Sequence, residues 1–102
     1  MRLRNIEFTL RAERSFEKIL SYIETKWSTK RKIDFLKKFD KSISAILLHP
    51  ESFPYSEKNK RIRKCVLTRQ TTFYYVFSSK EITIINFFDT RQNPNKINKD
   101  IK

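Results

Sequence analysis

The spacing of apolar residues in this 102-residue chain changes twice. Apolar and polar residues alternate over 5–10, apolar residues recur every three or four positions through the middle of the chain, and short apolar segments follow from residue 61. Alternation is the pattern of a half-buried strand, whereas a spacing of three or four residues is that of an amphipathic helix. The chain therefore predicts one strand, a helical middle and a closing set of strands.

The helical middle divides into two helices, each with one apolar stripe. The first stripe is Phe16, Ile19, Leu20, Ile23 and Trp27, and the second is Ile33, Leu36, Phe39, Ile43, Ile46 and Leu47. Ser28 or Thr29 can cap the second helix, and His49-Pro50 ends it. A break this short predicts an antiparallel helix hairpin whose two stripes share one partner.

Three strands are predicted after a loop at 51–59, over residues 61–67, 71–77 and 81–88. The connections TRQ and SSK are short enough for hairpins, so these strands form an antiparallel meander. The last strand is apolar almost throughout, which indicates a place near the centre of the sheet. The order β-α-α-β-β-β predicts an α+β fold in two layers, a helix hairpin packed on a small antiparallel sheet.

A chain of this length builds one modest core, so we expect a single domain, 1–96, followed by a loosely ordered basic tail, 97–102. No apolar run approaches the roughly 20 residues of a membrane span, and no secretory signal is recognisable. The single cysteine excludes an internal disulfide and a Cys-based zinc site. Glycine is absent, which excludes glycine-dependent phosphate loops. We expect a cytoplasmic protein without metal or cofactor.

Charge is the strongest global signal. The chain has 23 Lys and Arg residues against 11 Asp and Glu, which gives a net charge of +12. A field of this sign attracts polyanions such as nucleic acid, an anionic membrane or an acidic protein. The alternative is that lysine merely fills the solvated surface.

The basic residues are densest in KNKRIRK, residues 58–64. On a strand, Arg61 and Arg63 would share one face about 7 Å apart, a spacing that suits successive phosphates, while Lys64 would point to the other face. Arg69 follows in the next hairpin turn. This pattern predicts an anion-binding strand. The alternative is a charged strand that protects a sheet edge from aggregation.

The last strand ends in NFFDTRQNP, which places Asp89 and Arg91 where the backbone leaves the core, before Pro94. An arginine held at a strand end is pre-organised to bind a phosphate or a partner's carboxylate in bidentate fashion. The alternative is a structural salt bridge of Arg91 with Asp89 or Glu7.

The whole pattern resembles the RelE/ParE superfamily of bacterial toxins over residues 5–96. NIEFTLRAERSFEKIL is similar to the opening strand and helix of that superfamily, and TTFYYVFSSKEITIINFFDTRQNP to its closing hairpin with a D-x-R-x-x-P end. The resemblance rests on the order and spacing of elements rather than on one diagnostic motif. It implies the toxin half of a type II toxin–antitoxin pair.

The resemblance also implies two alternative targets. The RelE branch cuts mRNA in the ribosome, and the ParE branch poisons DNA gyrase without a nuclease centre. Arg61, Arg63 and Arg91 match positions where the nuclease branch keeps cations. The arginine that commonly begins its middle strand is replaced here by Thr71 or Thr72, and the tail after Arg91 contains no Tyr or His.

Cleavage of RNA through its 2′-hydroxyl needs a base, charge stabilisation at phosphorus and an acid. Arginine supplies only the second, because its pKa above about 12 makes it a poor proton carrier at neutral pH. The other candidates are His49, which suits a helix end, the strand tyrosines Tyr74 and Tyr75, which suit packing, and the loop glutamates Glu51 and Glu57. No catalytic residue is therefore assigned.

The sequence thus favours a ParE-like gyrase poison. The alternatives are a ribosome-dependent mRNA endoribonuclease and a non-toxic basic binding module of the same fold. The predicted target-binding residues are Arg61, Arg63, Lys64, Arg69 and Arg91. The charge and the resemblance both imply an acidic cognate antitoxin as partner, whose association should weaken with salt.

Overall fold

In the computed structural model, which describes residues 4–90, two helices pack on one four-stranded sheet. In chain order the elements are β1 (Asn5–Phe8), α1 (Leu10–Lys26), α2 (Thr29–Leu48), a 3₁₀ turn (Pro50–Ser52), β2 (Arg63–Val66), β3 (Thr71–Phe77) and β4 (Glu81–Asp89). This order confirms the predicted α+β class. Neither α1 nor α2 is long and apolar enough to cross a membrane. The predicted basic tail lies outside the described residues.

Hydroxyl caps determine where both helices begin. Thr9 Oγ1 accepts a hydrogen bond from the Ala12 N–H at 3.0 Å, and Ser28 Oγ accepts one from the Arg31 N–H at 3.1 Å. Each cap satisfies an N–H that has no carbonyl partner within its helix. Because Thr9 starts α1, β1 ends earlier than the alternating pattern predicted. Pro50 ends α2 as expected, since the residue before a proline is pushed out of helical conformation.

The strands lie in the order β1-β4-β3-β2. β2, β3 and β4 form the predicted antiparallel meander, and β4 is central with a neighbour on each side. β1 joins β4 in parallel, with Ile6 opposite Ile82 and Phe8 opposite Ile84, so the sheet is mixed and not wholly antiparallel as predicted. The parallel pairing is possible because the helix hairpin and the meander together form the long connection that parallel strands need.

A β-bulge in β4 connects the sheet to the start of α1. The register between β3 and β4 shifts between Tyr74 and Tyr75 and leaves Ile85 as the extra residue. A bulged residue loses its ladder partner. The hydroxyl of Thr9 donates to the Ile85 carbonyl at 2.6 Å and so satisfies it. The same side chain therefore caps α1 and fixes the helix against the central strand.

Five phenylalanine rings from five elements meet in the core around Phe87. The distances from its ring centroid are 4.8 Å to Phe16, 5.2 Å to Phe73, 5.8 Å to Phe39 and 6.1 Å to Phe8. Tilted and offset arrangements of this kind are favourable for aromatic pairs beyond the area they bury. This cluster holds α1, α2 and β1 against β3 and β4.

Two residues of the predicted stripes are not in the core. Trp27 is 59% exposed and Ile33 is 46% exposed, whereas Phe35, outside the predicted stripe, is only 4% exposed. Trp27 is the C-cap of α1 and has left helical geometry, so it no longer follows the helical stripe. At 100° per residue, Phe35 lies on the same side of α2 as Phe39, and Ile33 lies on a different side.

We predict that Phe87→Ala lowers the free energy of unfolding by about 3–5 kcal/mol, because it removes a ring that contacts four others in the core. The measurement is the midpoint of urea unfolding. Leu48→Ala is the control, since Leu48 is 65% exposed and its loss should cost less than about 0.5 kcal/mol. Equal midpoints for the two variants would show that the aromatic cluster does not hold the layers together.

Candidate functional site

Arg63, one of the predicted target-binding residues, holds the chain that precedes β2. Its Nη1 donates to the carbonyls of Glu51 at 3.0 Å and Phe53 at 2.8 Å. Its guanidinium carbon lies 3.8 Å from the ring centroid of Tyr55, a close cation–π contact. The planar, multiply donating guanidinium suits this double role, which lysine cannot reproduce. The geometry therefore gives Arg63 a structural task.

The expectation that Arg61 and Arg63 share one strand face is wrong. β2 begins only at Arg63, and Arg61 lies in the preceding turn, where its N–H donates to Asn59 Oδ1 at 2.9 Å. The turn forms because the loop folds back on the strand, with the Ser56 N–H donating to the Ile62 carbonyl at 2.7 Å. Arg61 is exposed, so its guanidinium is presented to solvent from a turn rather than from a strand.

Lys64 lies on the sheet face away from the helices. It pairs with Tyr74 in the β2–β3 ladder, while the next residue, Tyr75, is fully buried on the helix side and donates to the Pro50 carbonyl at 2.8 Å. The prediction that one tyrosine faces the core and the other a surface is confirmed. Lys64 Nζ lies 3.7 Å from Glu57 Oε1. We call Lys64, Glu57 and Tyr74 the open-face cluster.

The open-face cluster contains a phenol whose chemistry is set by its surroundings. Tyr74 packs edge-on against Phe88, with ring centroids 5.4 Å apart. Burial, followed by the negative charge of Glu57, raises the pKa of Tyr74 above its ordinary value. The phenol therefore stays protonated at neutral pH and can donate a hydrogen bond, but it cannot act as a base there.

The remaining predicted residues lie at the ends of strands. Arg69 is exposed in the β2–β3 turn. Arg91 lies outside the described residues, so the expected pairing of Arg91 with Asp89 or Glu7 stays a prediction. Asp89 itself is buried at the end of β4, where its Oδ2 accepts a hydrogen bond from the Thr71 hydroxyl at 2.7 Å. The acid of the D-x-R segment therefore helps to fasten β4 to β3.

The structure brings together two proton carriers that the sequence did not connect. His49 Nδ1 lies 3.9 Å from Glu51 Oε1, and the Glu51 carbonyl accepts from Arg63. His49 is distant from the basic strand in sequence, but Arg63 of β2 contacts the backbone of Glu51, two residues after His49. Tyr55 was also missed as the aromatic partner of Arg63. Within residues 4–90 there is no group of three or more His, Cys, Asp or Glu side chains placed to hold a metal.

Two helices packed on a four-stranded mixed sheet are also the fold of RelE/ParE-type toxins. The sequence profile of the family described as "ParE toxin of type II toxin-antitoxin system, parDE" matches residues 6–94. The chain therefore belongs to the ParE toxin family of type II toxin–antitoxin systems. No match is found among curated protein sequences.

Solved structures share the fold at low sequence identity. The chromosomal ParDE system of P. aeruginosa matches with a TM-score of 0.69 at 11% identity and covers 85% of this chain and 96% of that one. The YoeB dimer from Staphylococcus aureus has a TM-score of 0.62 at 17% identity, with 85% and 97% covered. The E. coli DinJ-YafQ complex has a TM-score of 0.61 at 9% identity, with 90% and 98% covered.

The two hydrogen bonds and the stacking of Arg63 predict that Arg63→Lys lowers the free energy of unfolding by about 1–2 kcal/mol while keeping the charge. Urea unfolding measures the change. Arg61→Lys, a few residues away in an exposed turn, is the matched control and should change stability by less than about 0.5 kcal/mol. If Arg63→Lys is as stable as the control, Arg63 is not a structural residue.

Glu57→Gln should lower the pKa of Tyr74, because it removes a negative charge that opposes the phenolate. An NMR titration of the tyrosine ring carbons measures this. The folded-state pKa of Tyr74 is raised, so its contribution to stability is present below about pH 10 and is lost as the pH rises beyond that value. Glu81→Gln, at the start of β4, should leave the Tyr74 titration unchanged. An unshifted Tyr74 in Glu57→Gln would contradict the geometry of the open-face cluster.

Proposed function

We propose that this toxin inhibits growth by poisoning DNA gyrase and does not cleave RNA. The observation that carries this choice is the match of nearly the whole described chain to the ParE family profile.

The proposed target-binding residues are cations in and around β2, the edge strand of the sheet. Arg61 and Lys64 flank the start of β2, and Arg69 occupies the turn that follows it. We include Arg91 because it lies two residues after the end of β4 in the sequence. Arg63 contributes indirectly, since its contacts with the loop fix the turn that presents Arg61. Fixed guanidinium and ammonium groups of this kind bind carboxylate or phosphate groups on a partner without proton transfer.

The proposed partner is an acidic antitoxin made with the toxin. A chain with a net charge of +12 binds polyanions non-specifically, and an acidic segment laid over its cations neutralises that field. The similar P. aeruginosa structure is described as a ParDE toxin–antitoxin system, and the E. coli structure as a DinJ-YafQ toxin–antitoxin complex. Association driven by charge should be fast and should weaken with salt.

A ribosome-dependent endoribonuclease is the second candidate function. It is favoured by a specific arrangement, namely the carboxylate of Glu57 3.7 Å from Lys64 Nζ beside a protonated Tyr74. A carboxylate can accept the proton of a 2′-hydroxyl, an ammonium can stabilise charge at phosphorus, and the protonated phenol can donate a proton to the leaving 5′-oxygen. In this mechanism Glu57 is the base, so Glu57→Gln would abolish cleavage.

The test is to express the chain in a bacterial host and to follow gyrase and mRNA together. The proposal predicts growth arrest, accumulation of gyrase covalently attached to DNA and loss of plasmid supercoiling, while mRNA stays intact. With purified gyrase, Arg61→Ala or Lys64→Ala should raise the inhibitory concentration about tenfold, the loss of one charge-assisted contact. Lys41→Ala, an exposed lysine of α2, is the control and should inhibit normally.

Two outcomes would overturn the proposal. mRNA cut at defined codon positions, and no longer cut by Glu57→Gln, would establish the nuclease. Unaffected growth with a soluble, folded chain would indicate a non-toxic binding module.

A further inference from the structure

A groove lies on the helix side of the molecule, between the end of α1, the first half of α2 and the β2–β3 turn. Its volume is about 740 Å³. Its described lining side chains that reach solvent are Trp27, Lys30, Arg31, Asp34, Lys37, Lys38, Thr68 and Gln70. We call it the hairpin groove. It shares no lining residue with the open-face cluster.

The apolar surface of the hairpin groove is almost entirely one aromatic ring. Trp27 is 59% exposed, whereas the other apolar lining residues, Ile23 and Phe35, are 3% and 4% exposed. The guanidinium carbon of Arg31 lies 5.5 Å from the centre of the Trp27 ring. The groove therefore presents a stacked tryptophan–arginine pair and lacks the row of apolar sockets that an amphipathic peptide helix fills.

The charge of the hairpin groove is positive and is placed along α2. Of the described residues, four with cationic side chains and one with a carboxylate line it, and that carboxylate, Asp34, is already paired with Lys30 at 3.3 Å. Among the described residues, Lys37 and Lys38 have no carboxylate within ion-pair distance, and both are exposed. They follow Lys30 and Arg31 by two helical turns, about 10 Å along the axis. Cations at this separation can contact separate phosphates of one strand.

We propose that the hairpin groove binds single-stranded DNA. An aromatic ring beside a track of cations is the arrangement by which proteins bind single strands without reading their sequence, since every base has a face that can stack. Gln70 on the opposite wall adds an amide group, whereas the Thr68 hydroxyl is already hydrogen-bonded within the turn. The charge and the single stacking platform favour a nucleic acid over an acidic peptide. Only the choice of DNA over RNA rests on the proposed function, since gyrase acts on DNA.

The binding test uses the full chain and an oligothymidylate of about 12 nucleotides. Trp27 is the only tryptophan, so its fluorescence reports directly on the groove. Stacking of a base on the ring should quench the emission. Affinity should fall steeply between about 50 mM and about 200 mM salt, because binding releases counterions from the strand.

A matched pair of charge reversals locates the contact. Lys38 lines the groove. Lys41, which is also exposed and lies one turn further along α2, does not line it. We expect Lys38→Glu to weaken binding about tenfold and to reduce the salt dependence, and Lys41→Glu to weaken it less than about twofold. Circular dichroism confirms that both variants are folded.

The stacking contact is tested with a labelled oligonucleotide, because the variants lack the fluorescent reporter. Trp27→Ala should lose about tenfold in affinity, while Trp27→Phe, which keeps an aromatic face, should lose much less. This difference separates stacking from a general loss of structure at the hairpin end.

Equal losses of affinity in Lys38→Glu and Lys41→Glu, or no loss of affinity in Trp27→Ala, would overturn the inference. Quenching of the Trp27 fluorescence by polyglutamate but not by the oligothymidylate would also overturn it and would indicate a protein partner. An oligouridylate bound about tenfold more tightly would replace DNA by RNA as the ligand. The assay contains no gyrase, so a chain that inhibits gyrase without binding the oligonucleotide contradicts this inference alone.

Discussion

The packing of Phe87 is the interaction on which the rest of the structure depends. It sits on the central strand, and its ring contacts one phenylalanine from each of β1, α1, α2 and β3. A domain this small has one core, so no second cluster can compensate if these rings separate. Because aromatic rings occupy the helix side of the sheet, charged side chains are confined to the open face, the turns and the outer surface of the helices. The positions of the two proposed binding surfaces follow from this confinement.

The net charge of +12 overstates the number of cations available to a partner. Arg4, Arg31 and Arg63 each lie over an aromatic ring, with distances of 5.6 Å, 5.5 Å and 3.8 Å from the guanidinium carbon to the nearest ring centroid. A guanidinium is weakly hydrated and planar, so it stacks where an ammonium would remain in water. Of these three, Arg63 also donates to two backbone carbonyls and has the clearest structural task. The lysines are the more available charges, and they should dominate salt-dependent binding.

The features of the fold that depend on local sequence could be predicted. The changes in apolar spacing predicted the order of the elements. Ser28 and Pro50 mark the two ends of α2 as expected, and the short connections produce the meander. The parallel pairing of β1 could not be read in the same way, because its partner lies more than seventy residues away and strand order is a tertiary property. Trp27 was wrongly predicted to lie in the core, because the apolar stripe was extended one residue beyond the last residue of α1.

The candidate site was less predictable than the fold, since it depends on how a loop folds back. Charge density and alternation placed Arg61 and Arg63 on one strand, but the hydrogen bond between Ser56 and Ile62 turns the chain first. The conformational propensities of the residues nearby do not predict such a hydrogen bond. The same fold-back, together with the short turn after α2, brings His49 and Glu51 to the loop that Arg63 holds. Sequence patterns therefore identified the cationic residues but not the side chains that contact them. Those contacts determine which groups can donate or accept a proton.

The separation of the two charged surfaces has a functional consequence. The open-face cluster and the hairpin groove lie on opposite sides of the sheet and share no side chain. The exception is the β2–β3 turn, where Arg69, a proposed target-binding residue, lies between the groove residues Thr68 and Gln70. If both proposals hold, a protein target on the open face and a DNA strand in the groove can be bound together. A toxin that poisons an enzyme while that enzyme holds open DNA would gain overall affinity in this way, because binding at one surface raises the effective concentration of the ligand at the other.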